Sequence, residues 1–154
     1  MRAALCLVAC VFLAACLPET HQCQSIPSDP ATETFAPSLG VDLSQMEKTM
    51  LGDYRSDLVI GTGPTLSTLA QVQIHYTAYL HDGTMIDQFL DQPVPLNLST
   101  QSTIGLADGM LGMNVGGQRL IVVPSELALG ACQNGSVPPN STIIYKVELL
   151  EIDS

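Results

Sequence analysis

The chain has 154 residues, and fifteen acidic against five basic residues give it a net charge of −10. This length leaves room for one domain of ordinary size, so a single site should account for the function. Because so acidic a surface repels phosphate, the composition argues against nucleic acid as a partner and against attraction to anionic lipid by charge.

The first residues resemble a secretory signal peptide. Arg2 supplies a positive charge, and residues 5–15 form an unbroken small and apolar run, which is too short for a membrane-spanning helix of about 20 residues. The run ends in Leu13-Ala14-Ala15-Cys16, which resembles the lipobox of bacterial lipoproteins, where the cysteine becomes the N-terminus and carries acyl chains. We therefore predict a signal peptide over residues 1–15 and a lipidated Cys16. The alternative is ordinary secretion, with Cys16 free or in a disulfide.

A lipidated Cys16 would place the chain at the bacterial cell envelope, on a periplasmic or extracellular membrane face. Each buried methylene of an acyl chain contributes about 0.8 kcal/mol to such an anchor. Of the other cysteines, Cys6 and Cys10 belong to the predicted signal peptide, which leaves Cys23 and Cys132. An even pair in an oxidising compartment permits a disulfide but does not require one.

The segment that follows Cys16 has the composition of a flexible tether. Residues 17–39 are rich in Pro, Thr, Ser and Gln and contain few large apolar side chains, a pattern typical of chains without a packed core. Residues 40–48 could form a short turn or helix. We predict a lipidated cysteine and tether over residues 16–49 and one folded domain over residues 50–154.

The domain begins with short predicted strands separated by turns. A strand over residues 57–60 ends at the turn Gly61-Thr62-Gly63-Pro64. Residues 71–80 alternate between apolar and polar side chains, which places Tyr76 on the inward face of a strand. Asp82-Gly83 signals a hairpin, since glycine accepts a positive φ. Residues 93–98 fit an edge strand, because their prolines cannot donate to a central ladder.

The second half of the domain contributes one helix and two more strands. Residues 106–113 form the helix, with Leu106, Met110 and Met113 on one face. Residues 119–123 read as a buried strand and residues 142–152 as the last strand. Several strands with one short helix predict an α+β fold, a twisted antiparallel β-sheet wrapped around the helix.

The order of motifs over residues 50–154 resembles the FKBP-type peptidyl-prolyl cis-trans isomerases. The resemblance rests on several short runs in the family's order: Val72-Gln73-Ile74-His75-Tyr76-Thr77, Asp82-Gly83-Thr84 with Asp87, Gly105-Leu106-Ala107-Asp108-Gly109, Met113-Asn114-Val115-Gly116-Gly117-Gln118-Arg119, residues 124–130, Val137-Pro138-Pro139-Asn140-Ser141-Thr142 and Val147-Glu148-Leu149-Leu150. It implies rotation of X-Pro bonds, a reaction whose barrier is roughly 18–20 kcal/mol. A dry apolar pocket favours the twisted amide, so no cofactor, metal or nucleophile is implied.

The resemblance also implies the residues of the pocket. Tyr76 and Asp87 match the family's hydrogen-bonding tyrosine and the carboxylate that faces the substrate carbonyl, and they are the predicted catalytic residues. Thr103 falls about where a backbone N–H receives a substrate carbonyl, with Ile104 as the alternative position. The predicted substrate-binding residues are Ile86, Leu96, Thr103, Ile104, Leu106, Leu129, Val137 and Tyr145.

Several pocket positions depart from the family's pattern. Leu106 stands where most members have a tryptophan floor, and Ile86, Leu129 and Leu96 or a neighbour stand where aromatic rings are usual. Each lost ring face is worth about 0.5–1.5 kcal/mol, so we expect a shallower site, weaker macrolide binding and reduced turnover. Without these neighbouring motifs, Tyr76 would read as a core tyrosine and Asp87 as a solvated carboxylate. His75 and His81 have no third ligand that would make a metal site.

The first functional hypothesis is an envelope isomerase that assists the folding of exported proteins, in which slow X-Pro rotation limits the rate. Its partners would be proline-containing polypeptides and, through the anchor, a membrane; the chain is expected to be a monomer. The alternative is a catalytically weak or inactive FKBP-like binding or chaperone module. A third hypothesis is an acidic interaction domain whose ligand is not proline.

Overall fold

The structure of the protein is a computed structural model that describes Cys23 and residues 26–153. The predicted signal peptide and the lipidation site Cys16 lie outside these residues. No helix within the described part is long and apolar enough to cross a membrane.

Six antiparallel strands form one sheet, in the order β1-β2-β5-β6-β3-β4. Among the described residues, a single short α-helix packs against it, and the structure confirms the predicted fold class. The strands are β1 (Glu47–Lys48), β2 (Tyr54–Val59), β3 (Gln71–Leu80), β4 (Met85–Asn97), β5 (Gln118–Val123) and β6 (Ile143–Ile152), and the helix is α1 (Ile104–Met110). Short 3₁₀ turns cover Pro30–Thr32, Pro37–Leu39 and Ser125–Leu127.

Strand β3 has the bounds that its alternating pattern predicts, whereas β4 begins eight residues before the predicted edge strand. The helix α1 begins two residues before the predicted helix, because the Thr103 side chain caps it by accepting a hydrogen bond from the Leu106 N–H. It ends at Met110, three residues before the predicted end.

The main core lies between α1 and one face of the sheet. It is built from apolar side chains of α1, β3, β5 and β6, among them Leu106, Met110, Ile74, Ile121 and Leu149. Burial of such side chains removes apolar surface from water and is the main force that holds the helix against the sheet.

A second apolar cluster covers the opposite face of the sheet. Its buried members are Leu39, Tyr54, Leu120, Val122 and Ile144, and the partly buried side chains packed against them include Phe35, Val41 and Leu43. The prediction of a flexible tether is therefore wrong for residues 26–49. A few apolar side chains within this proline-rich segment find partners on the sheet.

Hydrogen bonds hold the same N-terminal segment in place. The Ala36 N–H donates to the His81 carbonyl at 2.8 Å, and the Thr142 hydroxyl lies 2.9 Å from Ser28 Oγ and 2.7 Å from Glu33 Oε1. Cys23, ahead of this segment, is joined to Cys132 by a disulfide. The domain thus extends further toward the N-terminus than residue 50.

Candidate active site

A mostly apolar cavity of about 420 Å³ opens between one face of the sheet and the beginning of α1. Its walls come from β3, β4, β6, the start of α1 and the loop that follows Ser125–Leu127. The lining residues are Tyr76, Ala78, Ile86, Asp87, Val94, Leu96, Gln101, Ser102, Thr103, Leu106, Leu129, Asn134, Gly135, Ser136, Val137 and Tyr145. The volume is in the range of small-ligand sites in proteins.

The fold brings nine of the ten residues predicted for the pocket to this cavity. Ile104 is the exception: its side chain is 62% exposed and does not line the cavity. It occupies the first position of α1, where the helix turns this side chain toward solvent while Thr103 and Leu106 face inward. The Ile104 side chain therefore forms no part of the cavity wall, and its backbone N–H as the alternative to that of Thr103 stays a prediction.

Tyr76 and Asp87 form a hydrogen-bonded pair at one wall. The Tyr76 hydroxyl donates to Asp87 Oδ2 at 2.5 Å, and the Gln88 N–H donates to Asp87 Oδ1 at 2.9 Å. The pairing of β3 with β4 places Asp87 opposite Ala78, one step along the same face from Tyr76. Burial and, after it, the Asp87 hydrogen bond raise the pKa of Tyr76, so its hydroxyl stays protonated at neutral pH.

Tyr145 supplies the second aromatic ring of the cavity. Its ring centroid lies 6.4 Å from that of Tyr76 at an interplanar angle of 60°, within the usual range for tilted aromatic pairs. Burial raises the pKa of Tyr145, while a hydrogen bond with Thr103 acts in the opposite direction. Tyr145 from β6 and Thr103 at the beginning of α1 thus line the same cavity.

One wall of the cavity is formed by a loop, and the sequence predicts only the two ends of this loop as part of the site. Leu129 and Val137 were expected there, but Asn134, Gly135 and Ser136 also line the cavity. Cys132 lies between Leu129 and Val137 in the chain, and its disulfide to Cys23 joins this loop to the N-terminal segment. The sequence carries no periodic signal for this arrangement, because loop contacts depend on the disulfide and on distant chain segments.

The other lining residues that were missed lie next to predicted ones. Ala78 shares the inward face of β3 with Tyr76, and Val94 shares a face with Leu96 two residues later, so strand alternation could have found both. Gln101 and Ser102 precede Thr103 in the turn that leads into α1.

Comparison with known proteins agrees with this geometry. Residues 63–150, more than half of the chain, match the family model of the FKBP-type peptidyl-prolyl cis-trans isomerases. The chain belongs to this family. The "FK506-binding protein" of Neisseria meningitidis serogroup B is 39% identical over 100 residues, which are 62% of this chain and 92% of that protein. "FK506-binding protein 2" of Yarrowia lipolytica is 42% identical over 87 residues, 54% of this chain and 60% of that protein.

Solved FKBP structures show the same fold. The N-terminal domain of FKBP42 from Arabidopsis thaliana superposes with a TM-score of 0.67 at 29% identity, over 74% of this chain and 95% of that chain. FkpA from Escherichia coli superposes with a TM-score of 0.66 at 27% identity, over 70% of this chain and 51% of that chain. The protein is accordingly a peptidyl-prolyl cis-trans isomerase.

This FKBP-type cavity has an aliphatic floor. Leu106 is buried at its base, and Ile86, Val94, Leu96 and Leu129 contribute further aliphatic surface. Such a lining excludes water from a proline ring, but only Tyr76 and Tyr145 among the lining residues offer ring faces. The cavity therefore retains desolvation as a means of catalysis, with little aromatic stacking.

Proposed function

We propose that the protein is a membrane-anchored isomerase of the cell envelope that catalyses X-Pro rotation in exported polypeptides, with the proline ring in the cavity described above. One observation carries this proposal: a mostly apolar cavity of about 420 Å³ with the hydrogen-bonded pair Tyr76 and Asp87 at its wall. The cavity has the volume for a proline ring. Its polar lining residues besides this pair include Gln101, Ser102, Thr103, Asn134 and Ser136.

The chemistry needs no covalent step. Amide resonance creates the barrier to rotation, roughly 18–20 kcal/mol, and this resonance is lost when the bond is twisted. The planar amide is more polar than the twisted one, so transfer from water into an apolar cavity disfavours the ground state relative to the transition state. In this proposal, Leu106 and its aliphatic neighbours supply the apolar surroundings.

Tyr76 and Asp87 would orient the substrate at the edge of this apolar surface. The Tyr76 hydroxyl donates a hydrogen bond to Asp87. This bond would hold the carboxylate toward the cavity, where the carbonyl carbon of the twisted bond carries partial positive charge. At the far side, the backbone N–H of Thr103, the N-cap residue of α1, would donate to a second carbonyl of the peptide. Binding at both ends would fix the peptide while the bond between them rotates.

The disulfide supports export. Disulfides persist in oxidising compartments such as the periplasm and are rare in the cytosol, and Cys23 and Cys132 are joined in the folded domain. The lipobox-like Leu13-Ala14-Ala15-Cys16 lies seven positions before Cys23. An anchored isomerase would meet polypeptides soon after they cross a membrane, when slow proline isomers still limit folding.

Catalysis by the proposed residues is tested with the purified full chain in detergent. The cis-to-trans rate of Leu-Pro and Phe-Pro peptides is measured for wild type, Tyr76→Phe and Asp87→Ala. Tyr79→Phe and Asp91→Ala are matched controls, because Tyr79 packs on the opposite face of β3 and Asp91 is an exposed carboxylate of β4. We expect kcat/KM to fall about tenfold or more in the first two variants, the size of a lost charged hydrogen bond, and to stay unchanged in the controls.

Two results would contradict the assigned roles. Equal losses in the test and control variants would mean that Tyr76 and Asp87 act only through general stability. Binding of a proline peptide to a folded wild-type chain without any acceleration would favour the alternative hypothesis of a binding or chaperone module.

The anchor is tested separately by membrane fractionation of cells that express the full chain. Cys16→Ala should move the protein into the soluble fraction and abolish labelling by a fatty-acid probe. Thr20→Ala is the control, because it changes a residue four positions after Cys16 without altering the lipobox-like run or either disulfide cysteine, and it should leave the protein in the membrane fraction. A Cys16→Ala protein that stays in the membrane fraction would contradict the lipidation of Cys16.

A further inference from the structure

Phe89 carries an aromatic ring beside the cavity, at the free edge of the sheet. Strand β4 is the edge strand next to β3, and Phe89 stands directly opposite Tyr76 in the ladder. Because opposite residues of an antiparallel pair point to the same face, Phe89 lies on the cavity face. Asp87, two residues earlier, lines the cavity on that same face.

The next residue, Leu90, points the other way. It lines a shallow depression on the opposite face of the sheet together with His75 and Thr77. Phe89 and Leu90 are nearly equally exposed, at 45% and 49%. The two neighbours are therefore similar in burial and opposite in direction.

A break in the ladder separates Phe89 from the remainder of the cavity wall. Between Tyr76 and Ile74, β3 advances by two residues, whereas the partners on β4 run from Phe89 to Val94, an advance of five. The three additional residues make a bulge, and residues 90–93 are exposed. Val94 and Leu96 then return to the cavity wall. Phe89 thus marks the point at which the edge strand leaves the cavity.

Exposure of a phenylalanine does not by itself indicate a binding surface, because single exposed apolar residues are common. The position of Phe89 is the informative observation. Its ring centroid lies 5.4 Å from that of Tyr76, at an interplanar angle of 37°, so one part of the ring packs against Tyr76 while the remainder faces solvent. The exposed ring surface adjoins the Tyr76–Asp87 pair.

We infer that Phe89 forms an apolar subsite outside the cavity, which takes the side chain of the residue next to the proline. This inference rests on the proposed binding of proline in the cavity. A peptide whose proline ring fills the cavity must continue over its rim, and on the β4 side of Asp87 the adjoining apolar surface is the Phe89 ring. Apolar and aromatic side chains bury more area on such a ring than alanine does.

Phe89 would therefore be a specificity-determining residue. It would distinguish prolines flanked by leucine or phenylalanine from those flanked by alanine. It would also restore on the rim some of the aromatic surface that the cavity floor lacks, since Leu106 and Leu129 offer no ring faces.

The test measures kcat/KM for two peptide series, one with Ala, Leu or Phe before the proline and one with the same residues after it. The enzymes are the full chain, Phe89→Ala and Leu90→Ala. In at least one series, we expect wild type to prefer Phe over Ala. In Phe89→Ala the ratio of kcat/KM for the Phe peptide to that for the Ala peptide should be about three- to tenfold smaller, the size of one aromatic contact. Leu90→Ala should keep it, because its side chain lies on the opposite face. Phe89→Leu should keep part of it.

An unchanged Phe-to-Ala ratio in both series for Phe89→Ala would overturn the inference, even if all rates fell together, because a uniform loss would show only a disturbed Tyr76. Equal changes of the ratio in Phe89→Ala and Leu90→Ala would overturn it as well. Failure of the proposed function looks different: a folded wild-type chain would then accelerate none of the peptides.

Discussion

Cys132 lies in the loop that forms one wall of the cavity, and its disulfide partner Cys23 precedes it by 109 residues. Hydrogen bonds also join the N-terminal segment to residues on either side of this loop. The Ser28 N–H donates to Ser125 Oγ at 3.0 Å, and the Ser125 N–H donates to Ser28 Oγ at 2.7 Å. The Ile26 N–H donates to Asn140 Oδ1 at 3.1 Å. The N-terminal segment thus supports the cavity from behind this loop.

Removal of the disulfide should destabilise the domain and loosen the cavity loop. A cross-link over such a distance restricts the unfolded chain, and its loss typically costs about 2–5 kcal/mol. We expect the free energy of unfolding of Cys23→Ser/Cys132→Ser, measured in urea, to fall by that amount. Amide exchange should rise most over residues 128–137.

A dithiol reductant provides the control for this prediction. It should lower the stability of the wild type toward that of the double variant and leave the variant itself unchanged. Equal stability of wild type and double variant would show that the hydrogen bonds of Ser28 hold the segment without the disulfide.

Asp53 should make the stability of the fold depend on pH. Its carboxyl group is fully buried and accepts a hydrogen bond from the Thr49 hydroxyl at 2.7 Å. Burial, with a further contribution from the neighbouring Asp108 carboxyl, raises the pKa of Asp53 to about 6, although the Thr49 hydrogen bond lowers it. The folded chain therefore holds a proton between about pH 4 and pH 6 that the unfolded chain releases.

The protonated Asp53 carboxyl thereby stabilises the folded chain by an amount on the order of 1–3 kcal/mol. This contribution is fully present below about pH 4 and is lost as the pH rises through about 6. Urea unfolding at pH 4.5 and pH 7.5 measures it. The fall in stability of the wild type should exceed that of Asp53→Asn, while Asp91→Asn, at an exposed site, should behave like the wild type. A fall of the same size in Asp53→Asn would assign the pH dependence to other groups.

Gly109 should not tolerate alanine, although it lies inside a helix. Alanine usually stabilises a helix interior by about 1 kcal/mol relative to glycine. Here an added Cβ would overlap with Ile121 Cγ2 in the main core, and such overpacking costs about 1–3 kcal/mol. Gly109→Ala should therefore lower the free energy of unfolding. The loss should shrink in an Ile121→Ala background, and a loss that does not depend on Ile121 would contradict the steric explanation.

The predictability of the fold differed between neighbouring strands. The bounds of β3 follow from its alternation, because one face of it is buried in the core. Strand β4 is exposed along most of its first nine residues. Its bounds therefore depend on pairing with β3 and do not appear as an alternation of apolar and polar residues. The N-terminal segment was misjudged for a related reason. Its average composition is that of a tether, while the partners of Leu39, such as Leu120 and Ile144, lie far along the chain.

The site divides in the same way. Tyr76 and Asp87 could be predicted, since they stand in short motifs whose order resembles a known family. Phe89 and residues 134–136 could not, because the pairing of β4 with β3 places the first beside Tyr76 and the loop that contains Cys132 brings the others to the cavity. Contacts that depend on two distant segments leave no pattern in either one.

Leu106→Trp should increase catalytic efficiency. Leu106 forms the buried floor of the cavity, and an indole at this position would offer a ring face to the proline, worth about 0.5–1.5 kcal/mol. The larger side chain can extend into the cavity instead of displacing core residues. We therefore expect kcat/KM for a Leu-Pro peptide to rise about two- to tenfold.

Met110→Trp is the control for the effect of size alone. Met110 lies one helical turn after Leu106, is fully buried and does not line the cavity, so an indole there should overpack the core at a cost of about 1–3 kcal/mol without raising kcat/KM. A folded Leu106→Trp protein with lower kcat/KM than the wild type would contradict the expectation. In that case the aliphatic floor would serve to keep the cavity wide enough for the twisted peptide, and the absence of a ring at its base would be a requirement of this active site.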